Sequence, residues 1–422
     1  MKTLLFITGL FIAHLTAGQV TTHTTLPECQ EKARENYPLL NKFALLNEAN
    51  ELEVEKLGKV YLPKLNFSGQ ATYQSEVTKV PIEIPNMSIP EPPKDQYKLT
   101  LDLNQMIYDG GITSTQKDLR EYDLSIENKK VEGGLYEVKK KVTDLYFNIL
   151  LLKKNREVLE LSKETIEAKK KNLEAGVRHG AVLEKDLNVL RAELLKLEQS
   201  ILELENGIST SLAILSEFTG EEYDLKTTFM LPQPEVAYDT DPSGRLDYQL
   251  LSLQQNKLML NRELINEGRR PKLTGFAQAG YGRPGLDMLS DEFGSFYILG
   301  AKLSWNLWNW QEKELDLKMI DIQQNFIENQ KEVFEKNLTV ELKRAFRELD
   351  KYEKLIRTDE EIIRLREEIR QTASAQLNNG TITSSEYVDD VNAETEAKLN
   401  KEVHKLKLVR AKYDYLAKKG DL

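Results

Sequence analysis

The sequence predicts an α+β membrane protein with an internal two-fold duplication, in which each copy has a pair of short strands followed by a long helical hairpin. The turn glycines Gly180 and Gly380 lie 200 residues apart, and apolar residues recur at the same offset. Two segments of each copy alternate apolar and polar residues, which is typical of strands. The long helical segments show a nearly heptad spacing of apolar residues. The residues that repeat are Val142 and Leu342, Tyr146 and Phe346, Ile149 and Leu349, and Leu103 and Leu303.

The composition favours long solvated helices and excludes several classes of protein. Charged residues make up 30% of the chain and the mean hydropathy is −0.50. No internal apolar run reaches the length of about 18 residues that a membrane-spanning helix needs. The net charge of −10 argues against a nucleic-acid partner, which requires a concentrated basic surface. The single cysteine, Cys29, excludes an internal disulfide, and we expect it to be a buried helix residue.

The N-terminus predicts a secretory signal peptide in residues 1–19. Lys2 precedes an apolar run over residues 4–13, and small residues follow at Ala17 and Gly18. A basic start, a short apolar stretch and small residues at its end are the pattern of a cleaved export signal. We therefore expect the mature chain to cross an inner membrane.

The first copy is predicted to span residues 20–220. A helix over residues 26–60 precedes strands at 65–74 and 97–107, and a proline-rich loop joins the two strands. The second strand ends at an Asp-Gly-Gly turn that starts the helical hairpin, whose tip is predicted near 177–183. The first helix of this hairpin would be roughly 100 Å long at a rise of 1.5 Å per residue, which exceeds any compact domain.

A connector at residues 221–244 leads to the second copy, which is predicted to span residues 245–422. The prolines and glycines of the connector indicate irregular structure. The second copy repeats the order of the first, with a leading helix, strands at 273–282 and 296–307, and a helical hairpin with its tip near 377–383.

Aromatic residues cluster where the strands give way to the helices. Tyr108 ends the second strand, and Trp305, Trp308 and Trp310 stand at the corresponding place in the second copy. Tyrosine and tryptophan are enriched where a membrane meets water, so we predict that these four residues lie at a membrane interface. The alternation of the strands also leaves open an ordinary soluble sheet with one face on a core.

Four amphipathic strands are too few to close a barrel in a membrane. The smallest single-chain membrane barrels have about eight strands, and unpaired backbone groups at an open edge cost several kcal/mol each in lipid. If the strands lie in a membrane, several chains must share one barrel and the helices must extend its wall into the periplasm. The expected product is an oligomeric tube with a polar interior that begins in the outer membrane.

Four short motifs carry a resemblance to a known family. They are Tyr61–Leu65 before the first strand, Ile107–Gly111 at the end of its partner, and the turn motifs Gly180–Leu187 and Gly380–Tyr387. Each motif is weak alone, but their order within a duplicated chain makes nearly all of the mature sequence similar to the TolC-type outer membrane factor (outer membrane efflux protein) family. The second copy departs from the pattern at Trp308–Gln311, which replaces the Asp-Gly-Gly turn, so we expect the two halves to differ there.

The resemblance implies a homotrimer with a twelve-stranded β-barrel, four strands per chain, continued by a long periplasmic α-helical coiled-coil barrel. It implies the outer membrane channel of a tripartite efflux or type I secretion system of a Gram-negative bacterium, which conducts substrate passively across the periplasm and outer membrane. The partners it implies are a periplasmic adaptor (membrane fusion) protein, an inner-membrane transporter that supplies the energy, and outer membrane lipid.

The resemblance also implies a periplasmic gate just after the second turn. Glu386 and Asp389 are three residues apart on a helix and share a face, with Asp390 beside them. Repeated in three subunits, they would form rings of negative charge that favour cations in a narrow pore. A solvated helix face is the alternative.

The hairpin tips are where the resemblance implies that the adaptor docks. The turn glycines are equally explained as left-handed caps of the helices that precede them. The predicted docking residues are Arg178, Gly180, Asp186, Asn379, Gly380 and Thr381.

The sequence offers no enzyme signature, since it has no nucleophile motif, metal-ligand cluster or phosphate-binding loop. His179 and His404 lack metal-ligand spacing, and we expect no cofactor. The competing hypothesis is a secreted periplasmic coiled-coil scaffold or interaction protein without a pore, whose strands form a small soluble sheet. The repeated strand pair favours the channel, because a scaffold has no reason to keep two such pairs.

Overall fold

The structure is a computed structural model that describes residues 23–78, 81, 91–179 and 182–420. The predicted signal peptide, the turn glycine Gly180 and most of the proline-rich loop lie outside the described residues.

The helices of the two hairpins repeat at an offset of 200 residues, since 312 − 112 = 200 and 384 − 184 = 200. The first helix of each hairpin has 67 residues and the second has 36. The elements in chain order are β1 (His23–Thr24), α1 (Leu26–Asn36), α2 (Lys42–Gly58), β2 (Lys64–Tyr73), β3 (Asp95–Tyr108), α3 (Ile112–Arg178), α4 (Glu184–Thr219), β4 (Thr228–Phe229), α5 (Leu246–Glu267), β5 (Lys272–Arg283), β6 (Gly294–Ser304), α6 (Glu312–Asn378) and α7 (Ser384–Lys419).

The chain divides into two compact units, each made of three segments. The helical unit contains residues up to 37, 136–238 and 344–415. The sheet unit contains residues 38–135, 239–343 and 416 onward. The hairpin tips belong to the helical unit, and the four long strands belong to the sheet unit.

Proline divides the helix predicted over residues 26–60, so that expectation is wrong in this detail. α1 ends at Asn36, and Tyr37 adopts an extended conformation with φ −78° and ψ 126°. Pro38 explains the break, because its ring disfavours a helical conformation in the residue before it. A 3-10 turn at Pro38–Asn41 then leads into α2.

The sheet unit contains one antiparallel four-stranded sheet in the order β2-β3-β5-β6. Its register aligns Phe67, Leu101, Ala279 and Tyr297 across the four strands. Because successive side chains of a strand point to opposite faces, this register collects the apolar residues on one face and most polar residues on the other. The pairing therefore agrees with the alternation in the sequence.

The apolar face of the sheet is uncovered by the described residues. Its side chains remain largely accessible, which is unusual for aliphatic and aromatic residues of a sheet. Examples are Leu65 (62% exposed), Phe67 (73%), Leu99 (49%), Tyr297 (75%), Leu299 (71%) and Leu303 (67%).

The helical unit has a core of apolar side chains contributed by α1, α3, α4, β4 and α7. Cys29 lies in this core with 0% exposure, as the sequence predicts, and burial raises the pKa of its thiol to about 11. The other buried members are Leu26, Ala33, Val138, Val142, Tyr146, Phe147, Ile149, Leu150, Ile208, Leu212, Leu215, Phe229 and Leu406. None of the helices in the described part of the chain is long and apolar enough to span a bilayer.

We expect Tyr146→Phe to lower the free energy of unfolding by about 1–2 kcal/mol. The Tyr146 hydroxyl is fully buried and lies 2.8 Å from the carbonyl oxygen of Thr24 and 2.7 Å from that of Met230. Phenylalanine keeps the packing but leaves both carbonyls without this donor. Thermal unfolding of the purified protein measures the loss, and Tyr238→Phe is the matched control because Tyr238 is 47% exposed. An equal melting temperature for the two variants would contradict the assignment.

Candidate functional site

The turn between α6 and α7 is the predicted docking turn whose residues are all described. Gly380 adopts the left-handed conformation with φ +68°. Its N–H donates to the carbonyl oxygen of Leu377 (3.1 Å), and the N–H of Thr381 donates to that of Gln376 (3.0 Å). These two bonds form a Schellman motif, which needs a residue that tolerates positive φ. The glycine therefore acts as a left-handed helix cap.

Glu386 takes part in a capping box at the start of α7. The Thr383 N–H donates to Glu386 Oε2 (2.7 Å), and the Glu386 N–H donates to Thr383 Oγ1 (3.3 Å). The bond from the Thr383 backbone, followed by the bond from its hydroxyl, lowers the pKa of the Glu386 carboxyl. Glu386 is thus both a predicted gate residue and a member of the capping box that begins its own helix.

The predicted acidic residues lie on one side of α7. Glu386 and Asp389 are exposed and Asp390 is half-buried. Tyr387 and Val388 are buried on the opposite side, in an apolar cluster with residues of α3, α4 and α6. The side chains of Glu386 and Asp389 therefore reach solvent in the single chain.

Asp186 connects the tips of the two hairpins. Its Oδ1 accepts a hydrogen bond from the backbone N–H of Ser384, at 3.3 Å. The bond joins the first turn of α4 to the first turn of α7. The other described residues predicted to dock the adaptor, namely Arg178, Asn379, Gly380 and Thr381, are exposed.

A buried lysine lies beneath the second turn. Lys169 on α3 is 4% exposed, and its Nζ donates to the backbone oxygen of Ser374 (2.7 Å) and to Asn378 Oδ1 (2.7 Å) on α6. The same ammonium lies 5.0 Å from the centre of the Tyr387 ring on α7. Burial lowers the pKa of Lys169. Its three contacts hold α3, the end of α6 and the start of α7 together.

A buried carboxylate forms ion pairs further along α7. Glu394 is 6% exposed and bonds to Arg370 Nε on α6 and to Lys398 Nζ, the latter at 2.6 Å. Lys398 also bonds to Glu367 at 3.1 Å. The network crosses from α6 to α7 and back to α6.

The sequence analysis missed Lys169 and Glu394, although a signal for both exists. Leu159, Ile166 and Leu173 repeat every seven residues and mark one core position of the heptad pattern. Lys169 follows Ile166 by three residues and therefore stands at the second core position. Glu394 follows the buried Tyr387 by seven residues. Charged residues at core positions of a coiled coil are costly unless they are paired, so they mark special contacts.

The predicted interface aromatics surround the ends of β3 and β6. Tyr108 is 45% exposed, Trp305 57%, Trp308 72% and Trp310 84%. The Trp305 indole donates to the carbonyl oxygen of Arg269 (2.9 Å), and the rings of Trp308 and Trp310 meet edge to face with centres 6.0 Å apart. Their assignment to a membrane interface remains a prediction.

Asp109 organises the junction between β3 and α3. It is 4% exposed, and its carboxylate accepts bonds from the N–H groups of Gly111 (2.9 Å) and Thr113 (2.8 Å) and from the hydroxyls of Thr113 (2.6 Å) and Tyr61 (2.7 Å). Burial alone would raise the pKa of Asp109, but these bonds overcome it and lower the pKa to about 2.

The second copy keeps the backbone conformation of this junction without its glycines. Gly110 and Gly111 have φ +85° and +102°, and Trp310 and Gln311 at the equivalent positions have φ 51° and 63°. The two copies therefore differ in sequence here, as expected, but not in the hand of the turn. A tryptophan and a glutamine in this conformation cost of order 1 kcal/mol or more each, whereas the glycines do not.

The described residues contain no group of histidine, cysteine, aspartate and glutamate side chains that could hold a metal ion. His404 instead pairs through Nδ1 with Asp359 Oδ2, at 2.6 Å. This contact links α7 to α6 in the helical unit.

Comparison with known proteins agrees with this architecture. Residues 30–221 match the family model described as outer membrane efflux protein. No curated protein sequence matches the chain.

Several solved structures share the fold at low sequence identity. The outer membrane protein VceC of Vibrio cholerae superposes with a TM-score of 0.67 at 15% identity, covering 94% of this chain and 96% of that one. The CmeC outer membrane channel of Campylobacter jejuni gives 0.64 at 15% identity, covering 94% and 85%. The open state of the MtrE outer membrane channel of Neisseria gonorrhoeae gives 0.66 at 12% identity, covering 94% and 89%.

The four motifs, the four-stranded sheet and the paired long helices thus lead to one conclusion. The resemblance inferred from the sequence is confirmed: residues 30–221 match the outer membrane efflux protein family model, and the chain shares its fold with solved outer membrane channels.

Proposed function

We propose that this chain is one subunit of an outer membrane channel that serves a tripartite efflux or type I secretion system. In this proposal the sheet lies in the outer membrane of a Gram-negative bacterium and the helical hairpins extend into the periplasm. The channel conducts its substrate passively, while an inner-membrane transporter supplies the energy and a periplasmic adaptor joins the two. The proposal rests most directly on the uncovered apolar face of the sheet.

The strands have the length that a membrane requires. β2, β3, β5 and β6 contain 10, 14, 12 and 11 residues. A tilted strand crosses a bilayer with about 9–11 residues. A secreted scaffold would have to cover the apolar face with protein, and the described residues leave it open, which favours lipid as its surroundings.

The opposite face of the sheet suits a water-filled lumen. Ser68 and Thr100 share a hydrogen bond between their hydroxyls (2.7 Å), and Gln278 Nε2 donates to Asp102 Oδ1 (2.5 Å). These side chains satisfy one another across neighbouring strands; Ser68 is exposed, Asp102 and Gln278 are half-buried, and Thr100 is buried. An apolar outside and a polar inside are the pattern of membrane barrels.

The sheet edges support assembly from several copies. β2 and β6 are the edge strands of this sheet and run in opposite directions, because four antiparallel strands alternate. β6 of one copy can therefore pair antiparallel with β2 of the next, and the barrel closes when no edge remains. We propose three copies, which gives the twelve strands implied by the resemblance.

The adaptor is proposed to dock at the turns that carry Arg178, Gly180, Asp186, Asn379, Gly380 and Thr381. The exposure of Arg178, Asn379, Gly380 and Thr381 supports the assignment, and Asp186 is half-buried. The bond between Asp186 and Ser384 makes the two tips one continuous surface within a subunit.

Fractionation of cell membranes, followed by recording in planar bilayers, tests the proposal. We expect the native protein in the outer membrane fraction, as a trimer that conducts ions after extraction in detergent. A soluble, non-conducting periplasmic protein would overturn the channel and support the scaffold.

We predict that the double variant Glu386→Gln, Asp389→Asn lowers the ratio of K⁺ to Cl⁻ permeability about fivefold. This factor corresponds to the loss of roughly 1 kcal/mol of attraction for a cation at the charge rings. Glutamine at position 386 preserves the capping box, so the helix start stays intact. Reversal potentials in a salt gradient give the ratio.

Glu184→Gln serves as the control for selectivity, because Glu184 is also exposed and lies in the first turn of α4. An unchanged permeability ratio in the double variant would show that Glu386 and Asp389 do not form the selectivity ring.

A further inference from the structure

The loop between β5 and β6, residues 284–293, exposes several large apolar side chains beside three acidic ones. It leaves the sheet at the end opposite to the helices that follow β3 and β6. Four of its side chains are both large and accessible: Leu286 is 56% exposed, Met288 63%, Leu289 40% and Phe293 49%. Loops that face water are normally polar, and clustered exposed apolar residues mark an interaction surface.

Phe293 places the end of this loop on the apolar face of the sheet. Its ring stacks on Tyr281 with centres 5.6 Å apart and planes at 17°, and on Tyr97 with centres 6.2 Å apart and planes at 28°. Tyr281 pairs across the strands with Leu99, on the face that carries the exposed leucines. The apolar surface of the loop is therefore continuous with the apolar surface of the sheet.

Polar contacts hold the loop in this position. The Arg283 guanidinium bonds to Asp291 through Nη2 (2.6 Å) and Nε (2.9 Å), and to Asp95 through Nη1 (3.1 Å). Asp287 Oδ1 accepts the backbone N–H of Leu289 at 3.2 Å. The single guanidinium offsets part of the negative charge of Asp291 and Asp95, which would otherwise oppose contact with lipid.

We propose that loop 284–293 lies on the outer membrane surface, with Met288, Leu286 and Phe293 in the boundary between lipid headgroups and acyl chains. The inference rests on the proposed function, since it extends the lipid-facing surface of the sheet beyond the strands. The occupant is bilayer lipid, because the loop surface continues the face assigned to lipid. Phe293, Tyr97 and Tyr281 form the aromatic anchor at this level, where rings are enriched in membrane barrels.

Fluorescence quenching by lipids brominated on their acyl chains tests the proposal in the full-length trimer. The three tryptophans, Trp305, Trp308 and Trp310, are replaced by phenylalanine, and one tryptophan is introduced by Met288→Trp. Leu299→Trp on the apolar face of β6 is the lipid control, and Gln70→Trp on the polar face of β2 is the water control. We expect at least twofold quenching for the variants at 288 and 299, and none at 70.

The controls separate failure of the inference from failure of the proposed function. Quenching at 299 without quenching at 288 would overturn the loop inference alone. A tryptophan at 288 that is protected from both brominated lipid and aqueous acrylamide would indicate a second copy of the chain as the occupant, and would also overturn it. An unquenched tryptophan at 299 would overturn the membrane placement of the sheet and the loop inference with it.

A second measurement keeps the native tryptophans in place. Met288→Cys is labelled with a polarity-sensitive thiol dye, because the native Cys29 is fully buried and inaccessible to the reagent. Reconstitution into vesicles should shift the emission to shorter wavelength relative to the same dye at Gln70→Cys. Equal emission maxima at the two positions would contradict lipid contact by the loop.

Discussion

Replacing Asp109 by asparagine is expected to lower the free energy of unfolding by about 3 kcal/mol. The carboxylate accepts four hydrogen bonds at a buried site. Two come from N–H groups and two from hydroxyls, and all four go to an ionised acceptor. Hydrogen bonds to a charged group contribute roughly 1.5–3 kcal/mol each, and a donor left unsatisfied in a buried site costs about as much again. The amide oxygen of asparagine can still accept some of these hydrogen bonds. The expected loss is therefore less than the sum of the four contributions.

The same substitution should change how stability depends on pH. The pKa of Asp109 is about 2 in the folded protein, below its value of 3.8 in an unpaired state. A carboxyl with a lowered pKa stabilises the fold fully above its unfolded pKa, and this contribution is lost as the pH falls through the folded pKa. About 2 kcal/mol of stability should therefore disappear between roughly pH 4 and pH 2 in the native protein, and asparagine removes this component of the acid transition.

Thermal unfolding in detergent at pH 7 and at pH 3 measures both effects. Asp118→Asn is the matched control, because Asp118 is an exposed residue of α3, the helix that follows Asp109. The difference in melting temperature between the native protein and Asp109→Asn should shrink as the pH falls. A difference that is the same at both pH values would show that the charge of Asp109 does not stabilise the junction.

The sequence predicts this junction only in its local part. An Asp-Gly-Gly turn after a strand is visible in the sequence, because glycine supplies the positive φ that such a turn needs. The contact of Asp109 with Tyr61 is not, since it joins residues 48 apart in the chain. In the second copy the local rule fails: the left-handed turn persists at Trp310 and Gln311, whose residue types disfavour it. The connection of strand to helix imposes that geometry on them.

Periodicity predicts the long helices well and their polar contacts poorly. Apolar residues repeat at heptad spacing, and Val142, Ile149, Ile166 and Leu173 are all buried, so the core side of α3 follows from the sequence. The acidic face of α7 also follows from spacing alone. Lys169 and Glu394 interrupt this pattern at core positions, but the pattern does not identify the residues that pair with them. The structure shows that both charged side chains are paired, largely with residues of α6.

Replacing Glu394 by glutamine is expected to lower the free energy of unfolding of the helical unit by about 3 kcal/mol. Glu394 is the shared partner of Arg370 on α6 and Lys398 on α7, and it is nearly fully buried. Removing one member of a buried ion pair leaves an uncompensated charge, which costs about 3–5 kcal/mol. Glutamine preserves the size of the side chain, and Glu367 still pairs with Lys398, so the lower end of the range applies.

Hydrogen exchange resolves where this loss occurs. The amides of α7 around Glu394 and those of α6 around Arg370 should exchange about 100-fold faster in Glu394→Gln, the factor that corresponds to roughly 3 kcal/mol. Exchange in the sheet unit should be unchanged, because the network lies within the helical unit. Glu396→Gln, an exposed change two residues away, is the control. Glu386 and Asp389 lie on the same helix. Faster exchange in Glu394→Gln without any change in ion selectivity would therefore separate the stability of α7 from the charge of the proposed gate. Exchange in Glu394→Gln as slow as in Glu396→Gln would show that Glu394 does not stabilise α7.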